Sequence, residues 1–366
     1  MDIFRIYLPV AGIHFNILLL FLIGFCVGVI GGFFGVGGGW ILTPALNIFG
    51  FHMAFAIGTG LADIFGQSLG AIKKHQRMGN VDWKLGTFTI IFSLFGFEAG
   101  SRIVIALEKA GEVGPIIRWC YVVFLAGLGC FMFYDYFVLH KRQLKRLEEE
   151  ELKNVSSTKP KTQLNGFAGK LHNINLPPMI SFPKSKIEKV SLWVIIVIFL
   201  FTGFLSGILG IGGGFIILPT LVYLIGLPTI LAVGTSLITV FATAAFGCLI
   251  YALDGRVEVY AAVFMLIGAS IGAQIGATAV KYIKGYGIRL LFAIMIIFTS
   301  LSVISEQFYK MTFKPLFQNS SGIILVGTAL IMTTIIISKL IIEFRKDTLD
   351  KFKVVPKKMF NKKHGV

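Results

Sequence analysis

Two stretches of this sequence match each other across 175 positions. Gly35-Val36-Gly37-Gly38-Gly39-Trp40-Ile41-Leu42-Thr43-Pro44 aligns with Gly210-Ile211-Gly212-Gly213-Gly214-Phe215-Ile216-Ile217-Leu218-Pro219. Glycine lacks a Cβ, so the chain can turn sharply there and another group can approach the backbone. Its helix propensity is about 1 kcal/mol per residue below alanine, and three in a row favour a break. Pro44 and Pro219 each remove one further helical donor. A helix restarting after Gly39 or Gly214 points its free N–H groups and positive dipole end at whatever lies ahead of it. Two such ends facing each other make an anion site that needs no Lys or Arg. The alternative is that the glycines only let helices pack closely.

The chemistry offered is binding rather than catalysis. There is no GxxxxGK[ST] phosphate loop, and Trp40 stands where a dinucleotide fingerprint needs its last glycine. The six histidines form no i,i+3 or i,i+4 pair and no HExxH. Cys26, Cys120, Cys130 and Cys248 lie in apolar runs without a CxxC. No catalytic constellation, cofactor or metal is expected, and the chain does not read as an enzyme.

A few polar residues accompany the breaks. Gly58-Thr59-Gly60-Leu61 matches Gly234-Thr235-Ser236-Leu237. The hydroxyls of Thr59, Thr235 and Ser236 can bond a substrate oxygen or bond back to their own helix. Asp63 has Gln67 one turn on, and a carboxylate in an apolar segment is a candidate for proton coupling. Glu98 is a second candidate, although Arg102 at i+4 can neutralise it. Thr239 and Gln274 occupy the matching places, so neither carboxylate is duplicated.

The elements holding these residues are membrane helices. No Asp, Glu, Lys or Arg occurs from Phe15 to Ala62 or from Ser191 to Leu253. Each stretch exceeds the ~20 residues of one membrane helix. Further spans are expected at about 84–106, 116–139, 257–280, 286–305 and 321–343. The repeat extends through Gly79-Asn80-Val81-Asp82 against Gly255-Arg256-Val257-Glu258, and through Gly96 and Gly100 against Gly272 and Gly276. Repeats of this kind build secondary transporters. The expected fold is an all-α polytopic membrane protein of two inverted repeats with broken or re-entrant Gly-rich helices and about 8–11 membrane segments. Its parts are a first repeat at 1–140, a basic linker at 141–190, a second repeat at 191–320, an extra helix at 321–344 and a basic tail at 345–366.

The net charge of +16 first suggests a nucleic-acid partner. Most of it, however, sits in the linker and the tail. Lys and Arg concentrate on cytoplasmic loops. If each broken unit is a hairpin, then the Lys73–Arg77 cluster, the linker, Lys281 and Lys284, and the tail all fall on one side, taken as cytoplasmic. The charge then reads as an orientation signal. Within the linker, 144–153 is expected to form a short surface helix.

The doubled G-x-G-G-G-x(4)-P break, followed by G-T-[GS] and a G-x-V-[DE] turn, resembles the TauE/SafE family of sulfite and organosulfonate permeases. The resemblance covers about 16–140 and 191–305. It implies a plasma-membrane carrier of sulfur-containing anions; the duplicated breaks themselves point to alternating access around a midplane site that Gly37–Gly39 and Gly212–Gly214 form. The substrate-binding residues expected on these motifs are Gly35, Gly37, Gly38, Gly39, Pro44, Thr59, Gly210, Gly212, Gly213, Gly214, Pro219, Thr235 and Ser236. The partners are a small anion and the lipid bilayer, with no nucleic acid, and self-association is compatible with this. An anion channel, or a membrane assembly protein using the linker, is the alternative.

Overall fold

The computed structural model describes residues 4–111, 113–139, 176–185, 187–283 and 285–361. The 144–153 helix, most of the 141–190 linker and the last five residues of the tail lie outside the described residues. The first half contains α1 (Ile17–Phe34), α2 (Gly39–Ile48), α3 (Met53–Arg77), α4 (Trp83–Lys109) and α5 (Val113–Tyr134). The second contains α6 (Leu192–Leu209), α7 (Gly214–Pro219), α8 (Thr229–Leu253), α9 (Val259–Ala279) and α10 (Gly285–Thr312), followed by α11 (Pro315–Asn361). Among the described residues, nine helices are long and apolar enough to cross a membrane, and α2 and α7 are not among them. The 10 residues of α2 rise only about 15 Å, half of a ~30 Å hydrocarbon core.

Local chemistry sets the helix ends. Asn16 caps α1 by accepting from the N–H groups of Leu18 at 2.9 Å and Leu19 at 3.4 Å. Asp82 caps α4 through the Leu85 N–H at 3.2 Å. Gly35 and Gly210 end α1 and α6 in the left-handed region, with φ of 73° and 63°, the usual glycine terminator.

Each half also opens with a short antiparallel hairpin, which the apolar pattern did not announce. β1 (Arg5–Leu8) pairs with β2 (Ile13–Asn16), and β3 (Met179–Phe182) with β4 (Ile187–Ser191). Each hairpin is tied to the acidic turn residue of the other half. Glu258 accepts from the N–H groups of Val10 at 2.7 Å and Ala11 at 3.1 Å, and Asp82 accepts from the Ser185 hydroxyl at 2.5 Å.

The halves interlock. α1 packs on α9, so that a Cβ on Gly24, Gly28 or Gly32 would meet the backbone of Met265, Ala269 or Ala273 in turn. These pairs rise together, so the two helices run parallel. In the matching way α6 runs parallel to α4, with Gly203 against Ser93 and Gly207 against Phe97. α3 faces its counterpart α8 antiparallel: Gly58 lies on Tyr251, while Phe65 stacks on Phe241 at 5.2 Å. α5 faces α10 antiparallel, with Arg118 near Gln307 and Gly129 near Ile297. The stripes of small residues thus bring helices to backbone contact. Gly28→Leu should therefore lower the thermal unfolding midpoint sharply, because overpacking costs about 1–3 kcal/mol or more where backbone cannot yield. An unchanged melting curve in detergent would contradict this close packing.

Outside this core the surface is apolar. Phe95 on α4 and Val123 on α5 are each 70% exposed, as expected of side chains facing lipid. Trp83, Trp119 and Trp193 are exposed near the starts of α4, α5 and α6, where an indole suits the membrane–water interface.

Candidate functional site

Both glycine-rich breaks fold the chain back on itself. Gly35, Gly37 and Gly38 have φ of 73°, 74° and 75°, and Gly210, Gly212 and Gly213 have 63°, 65° and 84°. Six left-handed residues at matched positions admit little but glycine. Gly38 lies against Val27 and Gly37 against Gly31, so α2 returns beside α1 as a hairpin. The α6–α7 unit turns likewise, with Gly213 beside Ser206. The two turns touch: Gly214 sits on the Val36 carbonyl and Gly39 on the Ile211 carbonyl. The first turns of α2 and α7 therefore start side by side in the protein interior.

At these turns several carbonyls accept from side chains, while the N–H groups from Gly37 and Gly212 onward are left free. Gln67 Nε2 donates to the Gly37 carbonyl at 2.6 Å, and Thr243, its counterpart on α8, donates to the Gly212 carbonyl at 2.6 Å. Ser236 donates to the Gly35 carbonyl at 2.6 Å, Thr43 to that of Gly210 at 3.3 Å, and Tyr121 to that of Leu209 at 2.8 Å. His75 Nε2 lies 3.2 Å from the Gly32 carbonyl. The backbone N–H groups of Gly37, Gly38, Gly39 and Trp40 find no acceptor among the described residues. Nor do those of Gly212, Gly213, Gly214 and Phe215. Buried donors are almost always paired, so eight free ones at two meeting helix starts are out of the ordinary. The Trp40 indole Nε1–H and the Ser206 hydroxyl, both on the breaks, are buried without a partner as well.

Ile64 of α3 and Val240 of α8 pack onto Gly37, and Ile64 with Ala244 onto Gly212. Access from either side thus requires these two helices, or the hairpins, to move. Of the polar residues expected near the breaks, Ser236 is brought there. Thr59 and Thr235 are placed elsewhere: they accept from the Glu258 and Asp82 N–H groups at 3.0 Å and pin each half to the other's fourth helix. Pro44 and Pro219 lie inside the α2 helix and at the end of α7. Asp63 is fully buried, with Oδ2 accepting from Gln67 at 3.1 Å and Oδ1 unpartnered. The Gln67 amide thus bridges the carboxyl to the Gly37 carbonyl. Glu98 instead pairs with Arg102 at 2.6 Å on an exposed helix face.

Thr43, Gln67 and Thr243 as carbonyl caps were not foreseen, nor was the free Trp40 indole. Offset 176 pairs Gln67 with Thr243, both hydrogen-bonding residues, which is the signal that could have found them.

The chain resembles known proteins over most of its length. The profile of the family described as Sulfite exporter TauE/SafE matches residues 20–303. A probable membrane transporter protein of Methanocaldococcus jannaschii is 30% identical over 210 residues, 56% of this chain and 60% of that protein. Probable membrane transporter protein YunE of Bacillus subtilis is 25% identical over 81% of this chain and 100% of its own length. YdhB of the same organism is 26% identical over 71% of this chain and 89% of its own length. No solved structure matches the chain.

Proposed function

This chain belongs to the TauE/SafE family, and from that premise we propose that it is a secondary carrier for small sulfur-containing oxyanions such as sulfite or a sulfonate. The observation that carries the proposal is the set of eight unpartnered N–H groups where α2 and α7 begin. A tetrahedral or pyramidal oxyanion accepts several such donors at once, and opposed helix N-termini supply them without a cation. The Trp40 indole and Ser206 hydroxyl would add side-chain donors. Gly35, Gly37–Gly39, Gly210 and Gly212–Gly214 would form the turns, while Pro44 and Pro219 would bound the partial helices.

The antiparallel pairing of α3 with α8 and of α5 with α10 supports an inverted relation of the halves. With hairpins at both breaks, the Lys73–Arg77 cluster, the linker and the tail would share the cytoplasmic side of the plasma membrane. Alternating access would consist of one hairpin and its supporting helices rocking against the other around the meeting turns. Asp63 would supply proton coupling, since Gln67 connects it to the Gly37 carbonyl. Glu98, already paired with Arg102, is the weaker candidate.

The test is uptake of sulfite, sulfate, taurine, sulfoacetate and thiosulfate into liposomes containing the purified chain alone, without ATP and with and without a pH gradient. Saturable uptake of at least one of these anions supports the carrier. Absence of uptake of all five contradicts it, and large anion currents in a planar bilayer would make it a channel.

A further inference from the structure

Two small cavities lie away from the breaks, one beside each proline, and they match. The first is lined by Pro44 and Asn47 of α2, Arg118 and Tyr121 of α5, and Glu306 of α10. The second is lined by Pro219, Tyr223, Met132 of α5, and Arg289 and Phe292 of α10. Arg118 and Arg289 are separated by 171 positions, as are Tyr121 and Phe292, and Asp135 and Glu306. Each cavity therefore holds an arginine from the start of one half's fifth helix; Glu306 lines the first, and Asp135, just past the end of α5, reaches Arg289 of the second. Because α5 and α10 run antiparallel, the two cavities sit at opposite ends of the helix pair, and α2 and α7 lead from them back to the breaks.

The arginines are engaged differently. Arg289 bridges to Asp135 at 3.1 Å, and the same Asp135 oxygen accepts from the Tyr223 hydroxyl at 2.9 Å. Arg118, only 8% exposed, instead donates to Gln307 at 2.8 Å and approaches Asn47 at 3.5 Å, both neutral amide oxygens. Its matching carboxylate, Glu306, turns to Lys310 at 3.7 Å and Ser321 at 3.2 Å. Among the described residues, Arg118 thus makes hydrogen bonds to neutral amides alone, through Nε and Nη1, while the Glu306 carboxylate shares its cavity without bonding to it; a guanidinium so held can still take an oxyanion in place of these amides.

We propose that these cavities are a pair of oxyanion-receiving vestibules, with Arg118 and Arg289 as the recognition residues. Asp135 neutralises Arg289 through Nη1, whereas Arg118 has no such ion pair among the described residues; each cavity, about 10 Å³ and so with room for about one water, would widen to admit the anion. This rests on the reading of the breaks as the central anion site, since the vestibules would feed it. The ligand is a small oxyanion able to take two parallel N–H donors.

The experiment uses the full chain in liposomes with sulfite as probe, and the anion-dependent rise in unfolding temperature in detergent as a second readout. Arg118→Gln should raise the half-saturating sulfite concentration about 10-fold or more, the loss expected of one charge-assisted bond. Arg118→Lys, which keeps the charge but not the fork, should raise it nearly as much. Asp135→Asn should lower it for sulfite presented from the Arg289 side. Equal half-saturation in Arg118→Gln and wild type overturns the proposal. So does a rise in half-saturation matched by an equal fall in the anion-free unfolding temperature, which would mark Arg118 as structural. If Arg118→Gln is silent while bulky substitution at Gly38 abolishes flux, the vestibules fall and the central site stands. The reverse result removes the breaks and leaves Arg118 as an anion contact that feeds no central site, and a wild-type chain that responds to none of sulfite, sulfate, taurine, sulfoacetate and thiosulfate overturns both.

Discussion

Gly38→Val and Gly213→Val are each expected to abolish anion flux while the protein still inserts into the membrane. Both residues sit at positive φ, 75° and 84°, where a β-branched side chain is strained by about 1–2 kcal/mol. A Cβ on Gly38 would also press on Val27, and one on Gly213 on Ile217 and Ser206. The local way out is to reorient the turn, which would redirect the N–H groups of Gly37–Trp40 or Gly212–Phe215. Hydrogen bonds to a charged ligand are worth about 1.5–3 kcal/mol each. Misdirecting two of them would then cost on the order of 100-fold or more in flux. Gly79→Val is the control: its φ of 77° matches, but a Cβ there meets nothing within 4 Å. It should bear the same strain and transport normally. Normal flux in both Gly38→Val and Gly213→Val would remove the breaks from the mechanism.

Asp63→Asn should separate coupling from binding. The carboxyl is fully buried, has one partnered oxygen, and is linked through Gln67 to the Gly37 carbonyl of the first break. Gln67 is the polar side chain that contacts it, so a change at Asp63 is transmitted directly to the turn. Carboxyls at such positions relay protons in transporters. Asn keeps the shape and can still bond Gln67, so downhill sulfite uptake should persist. Its acceleration by a pH gradient should disappear. Asp63→Leu, which leaves the Gln67 amide without that partner, should lose most flux in both conditions, since an unsatisfied buried donor costs about 1–3 kcal/mol. Full pH-gradient response in Asp63→Asn would end the coupling role.

Much of this was readable from residue types alone. The spans expected at 84–106, 257–280 and 286–305 emerge as Trp83–Lys109, Val259–Ala279 and Gly285–Thr312, because an uncharged apolar run of that length has few other options. The breaks were legible because three consecutive glycines and a proline contradict the helix around them. What escaped the sequence was cross-half pairing. Thr59 and Thr235 looked like ligand hydroxyls, but their partners are the Glu258 and Asp82 N–H groups, nearly 200 and more than 150 residues away. Arg118 and Arg289 lie in half-apolar helices and declare nothing until Glu306 and Asp135 are brought opposite them. The two β-hairpins were masked because each is only four or five residues a strand. The shared Leu8-Pro9 and Phe182-Pro183 steps were their faint trace.

In the proposed carrier, one site at the meeting starts of α2 and α7 binds an anion from either side in turn. Counterflow tests it most directly. Liposomes carrying the purified chain are loaded with unlabelled sulfite and diluted into a trace of labelled sulfite, without ATP or an ion gradient. Transient accumulation of label above equilibrium is expected in wild type, and none in Gly38→Val or Gly213→Val. Simple equilibration without overshoot in wild type, or an overshoot unchanged in both variants, would contradict it.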